Sequence, residues 1–239
     1  MSMTNAYVPG RSDLAASERE LIARRERLLG PAYRLFYEQP VHIVRGEGVW
    51  LYDAEGHAYL DVYNNVPSVG HCHPHVVDAL TRQARTLNTH TRYLHENVLD
   101  YAEKLLSMFP AELAHVMFTC TGSEANDLAY RIAETYTGGT GFIVTQLAYH
   151  GGTHAIAALS PSLGEHVKLG DHVRTVPAPD AYRGRGQEIE AVFADHVREA
   201  IKDMQAHGIK LAALLVDTIF SSDGVFTDPA GFLVGAVGA

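Results

Sequence analysis

Between residues 115 and 216 the sequence alternates short apolar runs with stretches of helical period, and no other feature restricts the fold as much. The runs are His115 to Cys120, Phe142 to Thr145, Val173 to Val176 and Leu211 to Val216. They lack the strict polar and apolar alternation of a strand with one wet face, so they predict strands covered on both sides. Between them, 123–136 and 187–207 read as helices; in the first, Ala125, Leu128, Ala129, Ile132 and Ala133 recur at spacings of three and four. Strand and helix in turn predict an α/β fold built on a mostly parallel sheet.

The earlier part of the chain reads differently. Ser17-x-x-Glu20 has the form of a capping box and opens an Arg- and Glu-rich helix reaching Leu29. Val49 to Asp53 and Tyr59 to Val62 flank the turn-rich Ala54 to His57 and predict a β-hairpin. Helical periods follow at 75–87 and 96–109. The organisation expected is an N-terminal arm of helix and hairpin over 1–65 and the first part of a larger domain over 66–239. Asp228 to Leu233 should open one more helix close to Ala239.

The net charge of −9 and the lack of a Lys/Arg cluster argue against a nucleic-acid surface. Small-molecule partners are expected, with neither nucleic acid nor membrane. Cys72 and Cys120 are far apart in sequence, which does not suit a disulfide framework. Met1 to Asn5 lacks the pattern of a secretory leader and no apolar run approaches membrane-spanning length, so a cytoplasmic home is expected.

The chemistry concentrates at strand ends. In Thr121-Gly122-Ser123-Glu124-Ala125-Asn126 an apolar run gives way to a helix, so the N–H groups of Gly122 and Ser123 belong at a helix N-terminus, where an anion is favoured. The same sequence is also the ordinary form of an N-cap. In open α/β sheets ligands gather beyond the C-terminal strand ends. There the sequence also puts Tyr149, able to stack on a flat ring, His150, able to donate a hydrogen bond, and the acid Asp217. Taken singly, Tyr149 is equally a rim aromatic and His150 equally a loop-backbone partner. Together they point to a flat, phosphorylated, aromatic cofactor, with pyridoxal 5′-phosphate as the candidate. The stretch from Asn64 to His75 is rich in metal-ligand types, but alternate residues of an extended segment face opposite ways and no second cluster completes a site, so no metal is assigned. Arg92, in the polar connection Leu87 to His95, is a candidate for holding an anionic substrate group.

In order, these segments resemble the class III aminotransferases of the pyridoxal-phosphate fold type I superfamily, from about Pro40 to Phe232. Gly70-His71-Cys72-His73-Pro74 looks like the substrate-side turn, Thr121 to Asn126 like the phosphate loop, and Tyr149-His150-Gly151 like the cofactor-stacking segment. Asn64-Asn65-Val66, Leu87-Asn88-Thr89 and Arg92 to Asn97 are similar to the branch containing phospho-lyases of phosphoethanolamine and phosphohydroxylysine, and mark Asn65 as a second substrate candidate. Where ω-amino aminotransferases carry Glu-Pro-Val and a Gly-Glu-Gly-Gly turn, this chain has Asp217-Thr218-Ile219 and Ser221-Ser222-Asp223-Gly224. The resemblance implies a truncated fold type I large domain resembling aspartate aminotransferase, a homodimer, and transfer of an amino group from an amine or amino acid to a keto acid. Elimination of phosphate from a phosphorylated amine and a non-catalytic binding or assembly fragment are the alternatives. The family's Schiff-base lysine and Asp-Glu-x-x motif have no match here. The chain's lysines are Lys104, Lys168, Lys202 and Lys210, so catalytic residues are expected outside it and the chain is expected to be inactive alone.

Overall fold

The computed structural model describes residues 6–31, 33–63, 67–184 and 188–239. Two compact units divide the chain, Ser2–Leu105 and Leu106–Ala239.

In the first unit, α1 (Ala16–Leu29) starts two residues earlier than its sequence signal. Ala15 occupies the N-cap, where its side chain can accept nothing, and the Glu18 carboxylate accepts the Ala15 N–H at 2.8 Å. The Ser17/Glu20 box is therefore not the cap. Three strands, not two, make the sheet: β1 (Ile43–Glu47), β2 (Trp50–Asp53) and β3 (Ala58–Leu60) form an antiparallel meander in that order. Asp53 locks the turn after β2. Its Oδ1 accepts from the N–H groups of Glu55 and His57, and its Oδ2 faces His57 Nδ1 at 2.9 Å and accepts from the Tyr59 hydroxyl at 2.8 Å. Burial pushes this carboxyl up, but the His57 and Tyr59 hydrogen bonds outweigh it and hold the pKa down at about 2. Helices α2 (Pro74–Thr86) and α3 (Glu96–Leu106) follow, α3 ending three residues before the predicted limit.

The second unit carries α4 (Gly122–Thr137), β4 (Gly141–Thr145), α5 (His154–Ala157), β5 (Val173–Val176), α6 (Ile189–Ala206), β6 (Leu211–Leu214) and α7 (Val234–Val237). Its sheet is parallel, in the order β5-β4-β6. All five residues of the central β4 are buried, as its unalternated apolar sequence requires. Successive side chains go to opposite layers. Phe142 and Val144 pack with Ile156, Leu159 and Val173, joined by Tyr130 and Ala133 of α4. Ile143 packs with Val176 and with Phe193, Val197 and Met204 of α6. Gly141 lets the layers close, since a Cβ there would lie 2.8 Å from Ile209 Cγ2 and 2.9 Å from Met204 Sδ.

Two further expectations need correction. Residues 115–119 pair with no strand among the described residues, and Met117 and Phe118 are exposed. Apolar, β-prone composition does not make a strand without a neighbouring ladder to satisfy its N–H and C=O groups. Asp228 is irregular, Pro229 is a bend, residues 230–233 form turns, and helix starts only at Val234.

Candidate cofactor site

At the N-terminus of α4 the cap is fully built. The Thr121 hydroxyl accepts the Glu124 N–H at 3.1 Å, while Glu124 Oε2 accepts the N–H groups of Cys120 at 2.8 Å and Thr121 at 3.1 Å. Ala125 N–H returns to the Thr121 carbonyl at 3.0 Å. The two first-turn donors that remain, Gly122 and Ser123 N–H, have no partner among the described residues. A helix N-terminus in that state presents both directed donors and the positive end of the helix dipole.

The loop after β4 is clamped onto this turn. Asn126 Nδ2 donates to the His150 carbonyl at 2.6 Å, and Gly152 N–H donates to Ser123 Oγ at 3.1 Å. Gly151 adopts φ +137°, and a Cβ on it would stand 2.5 Å from Ser123 Oγ and 2.8 Å from Ser123 Cα. Only glycine fits that conformation and that contact. From the other side, the buried Ser160 hydroxyl accepts the His150 N–H at 3.0 Å and lies 3.1 Å from the Gly151 carbonyl and 2.9 Å from that of Ile156.

Within this loop Tyr149 is half exposed, while His150 is buried with its Nε2 unpartnered. Burial lowers the His150 pKa; Asp217, Asp223 and the Leu215 backbone act in the opposite direction without overcoming it, so the ring is neutral at pH 7. A buried imidazole nitrogen with no partner is costly, and it marks a point where a polar ligand atom is accommodated.

Beyond β6, Asp217 organises its own turn. Its Oδ1 accepts the Ile219 N–H at 2.9 Å, and its Oδ2 accepts both the N–H and the hydroxyl of Ser221 at 2.9 Å. Burial raises its pKa, but these donors outweigh burial, and the net shift is downward. Asp223 ties the same loop to β4: its Oδ2 accepts the buried Thr145 hydroxyl at 2.6 Å and its Oδ1 the Leu147 N–H at 3.0 Å.

Gly122 and Ser123 at the start of α4, Tyr149 and His150 after β4 and Asp217 after β6 thus lie at the C-terminal side of the parallel sheet, tied by hydrogen bonds that Asn126 donates and that Ser160 and Asp223 accept. Those three were not singled out in the sequence. Asn126 ends the phosphate-turn motif and Asp223 lies in the altered Ser-Ser-Asp-Gly turn, so both had a local signal; Ser160 had none. Arg92 belongs to the Ser2–Leu105 unit and is exposed there. Asn65 lies outside the described residues. Three lysines of the second unit lie toward the N-terminal strand ends, away from these loops. Lys168 pairs with Asp171 at 2.8 Å just before β5, Lys210 donates to the Thr137 carbonyl just before β6, and Lys202 is two residues from Met204, which abuts Gly141 at the start of β4. Lys104 lies in α3.

The class III aminotransferase family model matches residues 35–237. The chain belongs to this family. A Drosophila melanogaster protein named alanine–glyoxylate aminotransferase 2-like is 37% identical over 92% of this chain and 48% of its own length. An ethanolamine-phosphate phospho-lyase homolog from Caenorhabditis elegans is 32% identical over 90% of this chain and 50% of its own. Among solved structures, a phospholyase from Arthrobacter in complex with phosphoethanolamine superposes with a TM-score of 0.84 and 44% identity, over 90% of this chain and 52% of that one. The chain therefore spans about half the length of the curated relatives it matches. Its α/β unit with a parallel sheet is that of the fold type I aminotransferases. Pyridoxal phosphate is the cofactor of this class III family. The free Gly122 and Ser123 N–H groups, the orphaned His150 Nε2 and the half-exposed Tyr149 ring fit such a group.

Proposed function

We propose that this chain supplies the phosphate-holding part of a pyridoxal-phosphate enzyme that eliminates phosphate from a phosphorylated amine. Gly122 and Ser123 would hold the cofactor's phosphate, Tyr149 would offer a face to its ring, and neutral His150 would offer a polar contact from a water-poor position. Asp217 contributes a fixed negative charge, its oxygens kept in place by Ser221 and Ile219. When bound, the cofactor supplies an electron sink for bond breaking next to the substrate nitrogen. The observation that carries the choice of elimination is the loop 217–224: Asp223 fastens it to Thr145 and Leu147, in the stretch where ω-amino aminotransferases carry a Gly-Glu-Gly-Gly turn. The 44% identity to the phosphoethanolamine-bound phospholyase supports it.

Amino transfer to a keto acid is the second reading, favoured by the family model and by the 37% identical relative. The chain alone is inactive for want of a Schiff-base lysine, and the intact enzyme is a cytoplasmic homodimer. In a polypeptide carrying this chain at the full length of its relatives, phosphoethanolamine should release inorganic phosphate with no keto acid present. Turnover that demands a keto acid and leaves phosphate esterified would select amino transfer instead.

A further inference from the structure

Tyr149 projects from the loop after β4 with 53% of its surface exposed, and neither a hydrogen bond nor a ring contact fixes its side chain among the described residues. Where that ring can go is therefore set by the backbone beside it. The loop's own backbone bonds lie outside this stretch: Ala148 N–H donates to the Thr145 carbonyl at 3.2 Å, and Ala157 N–H to the Thr153 carbonyl at 2.7 Å. Between them, side chains hold both peptide groups of His150. The Ser160 hydroxyl, 1% exposed, accepts the N–H that follows Tyr149 at 3.0 Å, and Asn126 Nδ2 donates to the His150 carbonyl at 2.6 Å.

Asn126 makes this contact from the element that carries the phosphate turn. It lies three residues after Ser123 and shares its face of α4. Ser123 Oγ accepts the Gly152 N–H at 3.1 Å, so one helix face grips the loop on both sides of Gly151. An amide that faces a carbonyl must present its NH2, which fixes the Asn126 orientation. Asparagine is also a poorer helix former than leucine or alanine, so helix stability does not account for its place in α4.

We propose that Asn126 is a positioning residue for the cofactor's ring. Through it, the helix whose first N–H groups face the phosphate also sets the peptide next to Tyr149, with Ser160 as the fixed point on the other side. The proposal rests on the assignment of Gly122 and Ser123 to the cofactor's phosphate, and holds whether the intact enzyme eliminates phosphate or transfers an amino group.

The test needs no turnover. Asn126→Leu removes the donor while favouring the helix, and Asn126→Gln keeps an amide donor on the same face. Each chain is titrated with inorganic phosphate and with pyridoxamine phosphate, which has the cofactor's ring and phosphate but no aldehyde to react with lysines. The circular dichroism induced in the ring is recorded alongside. Asn126→Leu should bind inorganic phosphate within about twofold of the unaltered chain, bind pyridoxamine phosphate about tenfold more weakly and lose the induced dichroism. Asn126→Gln should recover part of both losses. Ser160→Ala should give the same split and replaces Asn126→Leu should that variant lose its fold. Unchanged affinity and dichroism for pyridoxamine phosphate in the folded variants overturns the positioning role, and so does a parallel loss of both ligands, which is the mark of a merely structural residue. An unaltered chain that binds neither ligand sinks the phosphate assignment itself, and the proposal with it.

Discussion

Asp53 concentrates on one carboxylate the donors of a whole turn, and its pKa of about 2 gives that turn a definite acid limit. Because the folded value lies below the ordinary 3.8, the stabilisation is complete above about pH 4 and is lost as pH falls toward 2. Asp53→Asn should therefore flatten the pH dependence of urea unfolding between those limits for the unit holding β1 to β3. A slope unchanged by the substitution would refute the assignment. Gly151 makes an equally local demand. Gly151→Ala should cost about 1–3 kcal/mol of stability, since it combines a strained φ with a 2.5 Å approach to Ser123 Oγ. Ser123→Gly in the same chain should restore part of that loss, as measured by a double-mutant cycle. The demand on Gly151 was hidden in the sequence, where Tyr149-His150-Gly151 drew attention for its aromatic ring and the glycine's partner lies 28 residues away.

The elements show where local pattern suffices. α4 was read to within one residue at each end, because its cap and its apolar spacing both lie within its own sequence. β1 was missed: Ile43 to Glu47 is short, holds Arg45 and Gly46, and becomes a strand only by pairing with β2. The reverse error at 115–120 has the same cause, since partner availability is not written in the segment. The loop 217–224 was recognised as unusual, yet its anchor was not, because Asp223 and Thr145 are 78 residues apart. Thr145→Val and Asp223→Asn should show a coupling of about 2 kcal/mol in a thermodynamic cycle, as befits a charged hydrogen bond at a buried hydroxyl. Additive effects would mean that the loop is held by other contacts.

At the scale of the molecule, the α/β class and the parallel sheet were legible from strand composition alone, whereas the two-unit division at Leu105 was not, because it falls inside a continuous helical period. The isolated chain incubated with pyridoxal phosphate and borohydride should carry no stoichiometric lysine adduct by peptide mapping; one at Lys104, Lys168, Lys202 or Lys210 would contradict the inactivity proposed for it. The placement of Lys168, Lys202 and Lys210 also has a practical side. Coupling the second unit to a solid support through its side-chain amines would fasten it by the rim where its strands begin, leaving the Ser123 turn and the Tyr149 loop facing the solution, so a tethered protein can be screened for ligands without blocking the place where they bind.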